Sequence, residues 1–274
     1  MKHLLDKKQS ASTIKVYKSA LSNILLFGYG IDLNNKAMEI FIKGISNLAH
    51  KPVQVSNWNP SKVVNYILNC KDNSLKFLTQ KALFLLLIAC GRRISDTLAS
   101  VRTPHFLKIS PDKSTMIINY APNYRFKNDF TGERPQPIYL KRYRNILLEK
   151  DINSTYTEKD DKLCPVKSLE VYLNATKDSN CPYLFVNYNN INVSLQARQA
   201  ANLVQDLVKT ADPHANFTIR STREYASTQA WLFGASCSVL KSSCHWSSLQ
   251  MFVDIYFKAQ ANIEPRLASI NQLP

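Results

Sequence analysis

The sequence lacks the features that mark metal-binding, secreted or membrane proteins. Its six cysteines include no CxxC pair and no zinc-ribbon spacing, so we expect no structural metal and predict free thiols in a reducing compartment. The first ten residues have no apolar signal core. The longest apolar run, residues 82–90, is far below the roughly 20 residues that span a bilayer. We therefore expect a soluble, intracellular protein, and the chain has no repeats or low-complexity segments.

Acidic residues are also scarce. Twenty Asp and Glu stand against 35 Lys and Arg, which gives a formal net charge of +15 and a pI near 9.5. Such a charge attracts polyanions, so nucleic acid is the leading class of partner. A basic surface that serves solubility alone is the alternative. At 274 residues the chain is long enough to bury a substantial core.

The N-terminal part of the chain carries amphipathic helical patterns up to residue 48. One apolar stripe consists of Ile14, Tyr17, Leu21, Ile24 and Leu25. Lys15 and Lys18 lie off this stripe and could face a phosphate backbone. A stretch with two prolines and little periodicity follows and predicts a linker. We therefore expect a short helical domain (residues 1–50), a linker (51–59) and a main domain (60–274).

The pattern of the main domain predicts an α+β fold, mainly helical with a small antiparallel sheet. Asn59-Pro60 predicts a helix start, and an apolar helix at residues 76–90 is interrupted by Gly91. We expect β-strands at 106–109, 115–120 and 136–140. Further helices are predicted at 164–175, 194–209, 222–233, 236–243 and 247–258.

Two arginines lie near a predicted helix start. Ser221 and Glu224 have the spacing of a capping box, which makes Ser221 the predicted N-cap. Arg220 and Arg223 would then flank a helix N-terminus, where free amide groups favour an anion such as phosphate. The alternative is an ion pair of Arg223 with Glu224 or with a neighbouring carboxylate on a solvated face.

Two other segments carry clustered basic residues. Gly91-Arg92-Arg93-Ile94-Ser95-Asp96 follows the buried helix, and its simpler interpretation is an Arg–Asp pair at helical spacing. The predicted β-strands and their connection carry a second cluster, whose members are Arg125, Lys127, Arg134, Lys141, Arg142 and Arg144. Loops rich in basic residues often contact DNA, although runs of charged residues are usually only solvated.

Near the C-terminus, Leu249, Phe252 and Tyr256 share one helical face. Taken singly, Tyr256 is one of 13 tyrosines and a core aromatic is the simpler interpretation. His245 is likewise more often a structural residue than a catalyst.

Taken in order, these segments resemble the catalytic domain of tyrosine recombinases, the phage integrase superfamily, over most of residues 59–258. Residues 89–96 are similar to the family's first arginine box. This match aligns Arg93, not Arg92, with the catalytic arginine. Arg220-Ser-Thr-Arg223 resembles the second box, with Gly234 at the expected spacing. Trp246 matches the family's histidine-or-tryptophan position, and ten residues later Tyr256 matches the nucleophile.

Some phrases resemble one subgroup of the family. Trp58-Asn-Pro-Ser, Leu163-Cys-Pro-Val-Lys-Ser-Leu and Trp246-Ser-Ser are similar to the recombinases of DIRS-type and Crypton mobile elements and to related integrases of large insect viruses. Such an origin implies a nuclear location. The sequence departs from the family by placing Arg220 where a histidine is usual, and by an N-terminal region that is short for a DNA-clamping domain.

The resemblance implies a reaction and its residues. Tyr256 would attack the DNA backbone while Arg93, Arg220 and Arg223 stabilise the phosphate charge, with Trp246 in support. Lys127, with Arg125 as the rival position, would protonate the departing 5′ oxygen. Arg125, Lys15 and Lys18 would contact DNA. A homotetramer would act on two DNA duplexes without metal or cofactor. The alternatives are a recombinase-derived DNA-binding protein without cleavage activity and a type IB topoisomerase.

Overall fold

The computed structural model describes residues 11–48, 56–127, 136–142 and 158–246. The chain divides into two compact units, residues 1–54 and 55–274, which we describe separately. The assignment of a DNA-binding domain, a linker and a catalytic domain stays a prediction.

The first unit contains helices α1 (Ala11–Tyr29) and α2 (Lys36–Leu48). Asn35 starts α2, because its side-chain oxygen accepts a hydrogen bond from the amide of Met38 at 2.9 Å. Ile14 is fully buried, but Leu21 and Ile24 are exposed. The predicted apolar stripe is therefore only partly buried within this unit.

The second unit is built from helices and two small antiparallel sheets. Its elements in chain order are α3 (Pro60–Asn69), α4 (Leu75–Cys90), α5 (Ile94–Leu98), β1 (Leu107–Ile109), β2 (Thr115–Ile118), β3 (Ile138–Lys141), α6 (Glu158–Leu163), α7 (Pro165–Ala175), β4 (Val186–Asn187), β5 (Asn190–Ser194), α8 (Ala197–Ala211), α9 (Ile219–Leu232) and α10 (Cys237–Cys244). The predicted α+β class is confirmed.

Helix α4 lies at the centre of this unit. It is apolar on most of its surface, and residues 82–87 are all buried, so it contacts α7, α8 and α9 on different sides. Strands β1, β2 and β3 pair antiparallel in chain order. The buried face of β3 carries Ile138 and Leu140 and contacts α4 and α7. The sheet thus lies on the same core as the helices.

Local capping explains where several helices begin. Asn59 caps α3 as predicted, with its side-chain oxygen accepting from the amide of Ser61 at 2.9 Å. The prediction of Ser221 as an N-cap was wrong, because α9 is capped by Thr218. The Thr218 side chain accepts from the amide of Ser221, and Ser221 Oγ accepts from the amide of Thr218 at 3.2 Å. Arg223 therefore lies more than one turn inside the helix.

Two elements were not predicted, the β4–β5 hairpin and helix α6. The hairpin occupies a polar stretch, Val186–Ser194, whose residues lack the strict alternation of a half-buried strand. The predicted helix at 247–258 lies outside the described residues.

Gly91 ends α4 and sets the course of the chain into α5. Its φ of 59° is in the left-handed region, which glycine adopts without strain, and its amide donates to the carbonyl of Leu87 at 3.0 Å. A Cβ atom at this position would lie 2.9 Å from Sγ of Cys244, the last residue of α10. The missing side chain therefore lets the end of α10 approach the break after α4.

Replacing Gly91 by Ala is expected to lower the free energy of unfolding by about 2–4 kcal/mol, because it adds left-handed strain to an overpacked contact. Chemical denaturation checks this. Gly234→Ala is the matched control, since Gly234 also has a positive φ but nothing within 4 Å of its virtual Cβ. This control should lower the free energy of unfolding by about 1–2 kcal/mol. A second change, Cys244→Ala, should recover part of the Gly91→Ala loss; no recovery would contradict the contact.

Candidate active site

Arg93 lies at the start of α5, immediately after the Gly91 break. Its Nη1 atom is 3.5 Å from the carbonyl oxygen of His245, at the limit of hydrogen-bond distance, and 3.8 Å from Oδ2 of Asp96. The Arg93 side chain is partly exposed, whereas Asp96 is 1% exposed. The buried carboxylate therefore holds a guanidinium group that still reaches the surface.

Asp96 has a second partner in Tyr124, which follows strand β2. The Tyr124 hydroxyl donates to Oδ1 of Asp96 at 3.0 Å. Burial raises the pKa of Tyr124 to about 12, so the hydroxyl keeps its proton at neutral pH and remains a donor. Asp96 thus links Arg93 to the chain that leaves the small sheet.

Arg223 comes to the same region from α9. It is 7% exposed, and its Cζ atom lies 5.1 Å from the ring centroid of Trp246, a cation–π distance. Trp246 is itself buried and follows His245, whose φ of 52° ends α10 in the left-handed conformation. This turn of the chain brings the indole ring to the guanidinium group.

Three segments far apart in sequence therefore converge. Arg93 contacts the His245 carbonyl, and Arg223 contacts the ring of the next residue, Trp246. Burial raises the pKa of the Cys90 thiol to about 11 and also raises that of Cys244, so both thiols are neutral at pH 7. They therefore add no negative charge beside the two arginines, of which Arg93 is already paired with Asp96.

Arg220 is placed differently from Arg223. Its side chain is 57% exposed, and its Nε atom lies 3.1 Å from Oε1 of Glu224. Burial raises the pKa of Glu224, while the positive charge of Arg220 acts in the opposite direction. Glu224, which the sequence offered as an ion-pair partner of Arg223, is paired with Arg220 instead.

Lys127 and Arg125 are exposed residues on either side of Phe126. The Phe126 ring is buried and makes edge contacts with Tyr120, Tyr124 and His245 at centroid distances of 4.9, 4.7 and 5.0 Å. This ring fixes the backbone that carries Lys127 against the end of α10.

Three predicted site residues remain, Lys15 and Lys18 in the first unit and Tyr256 near the C-terminus. In the first unit Lys15 is exposed and Lys18 is half-buried. Tyr256 lies outside the described residues. Over the same described ranges, no group of three or more His, Cys, Asp or Glu side chains could hold a metal ion. No described helix is both long and apolar enough to cross a membrane.

Sequence reasoning missed two contributors to this site. His245 offers a backbone carbonyl to Arg93 and a ring to Phe126, and its position next to Trp246 was the available signal. Arg92 was set aside in favour of Arg93, yet its side chain is almost completely buried and reaches Gln136. No local pattern indicates that contact.

The fold is that of the tyrosine recombinase catalytic domain, with small antiparallel sheets among helices. Solved structures with this similarity include a Tn1549 transposon integrase in complex with circular intermediate DNA, at a TM-score of 0.57 and 13% identity over 97% of this chain and 82% of that one. The structure of the XerA recombinase is similar at a TM-score of 0.50 and 12% identity, over 95% of this chain and 81% of that one.

Another structure of the Tn1549 integrase, with transposon right end DNA, gives a TM-score of 0.56 at 14% identity. No family model and no curated protein sequence matches this chain. Identities this low show a shared fold, and the similarity to DIRS-type, Crypton or insect-virus proteins stays a prediction.

Proposed function

We propose that this chain is a site-specific DNA recombinase or integrase that cuts and rejoins DNA through a 3′-phosphotyrosyl intermediate. The observation that carries the proposal is the convergence of Arg93, Arg223 and Trp246 from three distant segments. The recombinase fold and the net charge of +15 support the same conclusion. The Tn1549 integrase structures contain DNA, which supports duplex DNA as the partner.

The two guanidinium groups are the proposed binding site for the scissile phosphate. Negative charge grows on the non-bridging oxygens as the phosphorus is attacked, and preoriented charged donors stabilise it more than water does. Arg93 is held by Asp96, and Arg223 by its burial and the Trp246 ring. Both groups are therefore arranged before DNA arrives.

Tyr256 is the proposed nucleophile. Its oxygen forms a bond to phosphorus while the bond to the 5′ oxygen breaks, and Lys127 gives the departing oxygen its proton. A 5′ hydroxyl from the partner strand then attacks the phosphotyrosine and reverses these steps on a new strand. The phosphotyrosyl bond conserves the energy of the broken phosphodiester, so no metal or nucleotide is needed. A homotetramer on two duplexes would exchange the strands.

A DNA-binding protein that no longer cuts is the second candidate. The observation in its favour is the pairing of Arg220 with Glu224, because Arg220 stands at the position that is usually histidine in the family pattern that the sequence resembles. Arginine retains donors but cannot accept a proton near neutral pH. Removal of the Tyr256 proton then depends on another group or on stabilisation of the phenolate by the arginines.

The test uses duplexes taken from the DNA that flanks the gene, nicked so that a cleaved strand is trapped. The parent chain should form a covalent adduct with them and should join the flanks of two intact duplexes. Binding without an adduct would support the second candidate. An adduct and relaxed plasmid without joined flanks would support a type IB topoisomerase and contradict the recombinase proposal.

A further inference from the structure

The Arg92 side chain connects the break after α4 to the far end of the β2–β3 connection. It is 2% exposed, and Nη2 donates to the carbonyl oxygen of Gln136 at 3.0 Å, across 44 positions in the sequence. Gln136 comes just before β3. No hydrogen-bond partner for Nη1 occurs among the described residues. Among the residues that the structure describes, this buried guanidinium group therefore has one hydrogen bond, to a backbone carbonyl.

A second contact holds the other end of the same connection. Tyr124 follows β2, and its hydroxyl donates to Asp96, four residues after Arg92. Tyr124 and Gln136, which lie on either side of Lys127 in the sequence, are therefore both attached to residues 92–96. Lys127 lies on this segment, next to the buried ring of Phe126. Arg93 lies between the two points of attachment.

Stability does not explain why position 92 is an arginine. Burying a guanidinium group with few partners is unfavourable, and an apolar side chain of similar length would fill the same space without that cost. Only a long donor can reach the Gln136 carbonyl from the backbone after Gly91. Residues that break a local rule in this way are concentrated at functional sites.

We propose that Arg92 is a positioning residue: it holds Gln136, and Tyr124 holds the residues just before Lys127, to the segment that carries Arg93, so that Lys127 and Arg93 act on the same phosphate group. This inference rests on the proposed function and on the acid role of Lys127. A shift of about 1 Å in a positioned group can cost about 100-fold in rate. Releasing one attachment should therefore affect protonation of the leaving group.

The test compares two nicked duplexes, one with the ordinary 5′ oxygen and one with a 5′-bridging sulfur, which leaves without protonation. Lys127→Ala is the reference and should slow cleavage only of the oxygen substrate. Arg92→Met keeps an apolar stem of similar length but removes the donor. It should slow the oxygen substrate about 10- to 100-fold and spare the sulfur substrate. Added to Lys127→Ala, it should cause no further loss, because the two changes act through one group.

Arg198→Met is the matched control, because Arg198 is exposed at the start of α8. It should affect neither substrate selectively. Tyr124→Phe is a second test variant that leaves Asp96 paired with Arg93 and should show the same selectivity. Its control is Tyr139→Phe, on the exposed face of β3. Hydrogen exchange gives a readout apart from activity, since Arg92→Met should speed exchange at Phe126 and Lys127 but not in α4.

The outcomes separate the inference from the proposed function. In one outcome, Lys127→Ala lowers the cleavage rate of the oxygen substrate only, and Arg92→Met lowers the rates of both substrates equally. This outcome would overturn the positioning role and leave the proposed function standing. Additive losses in the double variant would overturn it as well. Equal loss on both substrates in Lys127→Ala would remove the acid assignment and, with it, this inference. No adduct from the parent chain would overturn both proposals.

Discussion

A Tyr256→Phe variant is expected to form no covalent adduct with a nicked duplex that the parent chain attacks. The change removes only the phenolic oxygen, which is the atom that would bond to phosphorus. Binding should be nearly unchanged, because phosphate affinity depends on the basic residues. Denaturing electrophoresis of end-labelled DNA detects the adduct, and a mobility shift under native conditions measures binding. Loss of both adduct and binding would point to a folding defect.

The tyrosines close to the arginines are poor alternatives to Tyr256. Burial raises the pKa values of Tyr124 and Tyr225 to about 12 and raises that of Tyr120 further. An ordinary phenol, with a pKa near ~10, is already only about a thousandth ionised at pH 7. These three phenols are less ionised still.

Tyr139→Phe is the control for this prediction, because Tyr139 is 66% exposed on β3. It should form as much adduct as the parent chain. An adduct that persists in Tyr256→Phe would disprove the nucleophile assignment. Mass spectrometry of the nucleotide-linked peptide would then identify the tyrosine that carries the DNA.

Local sequence signals predicted much of the fold. Asn59-Pro60 predicted a helix start, and Gly91 predicted a break, because each depends on backbone chemistry within a few residues. The N-cap of α9 was misplaced for the same kind of reason. Thr218 and Ser221 have the capping spacing, and so do Ser221 and Glu224. The backbone uses the first pair, and sequence alone does not rank the two.

The site was predictable only in part. The resemblance to a family pointed to Arg93, Arg223 and Trp246, and the structure brings their segments together. The contacts that hold them were not predictable. Arg93 uses the carbonyl of His245, and Arg92 uses that of Gln136. Every residue offers a carbonyl, so neither partner leaves a side-chain signal in the sequence.

Replacing Arg223 by Ala is expected to lower the single-turnover rate of cleavage by about 10²- to 10³-fold, or about 2.7–4 kcal/mol, the usual cost of removing one preoriented donor from a transition state. Arg223 is 7% exposed, so its charge acts where little water screens it. Rapid-quench measurement on a nicked duplex at saturating protein gives this rate directly. Arg198→Ala, an exposed change on α8, should leave it within about twofold.

Arg223→Lys separates charge from geometry at the same position. Lysine keeps the positive charge but loses the planar pair of donors and stacks less well on Trp246. Relative to Arg223→Ala, it should restore DNA binding at low salt but only part of the cleavage rate. Its rate should therefore lie between those of Arg223→Ala and the parent chain. Recovery of the full rate would mean that charge alone suffices.

Since Arg223 and Trp246 are in contact, Trp246→Ala should lower the cleavage rate less in the Arg223→Ala background than in the parent chain. Strictly additive losses would show that the ring and the guanidinium group act independently.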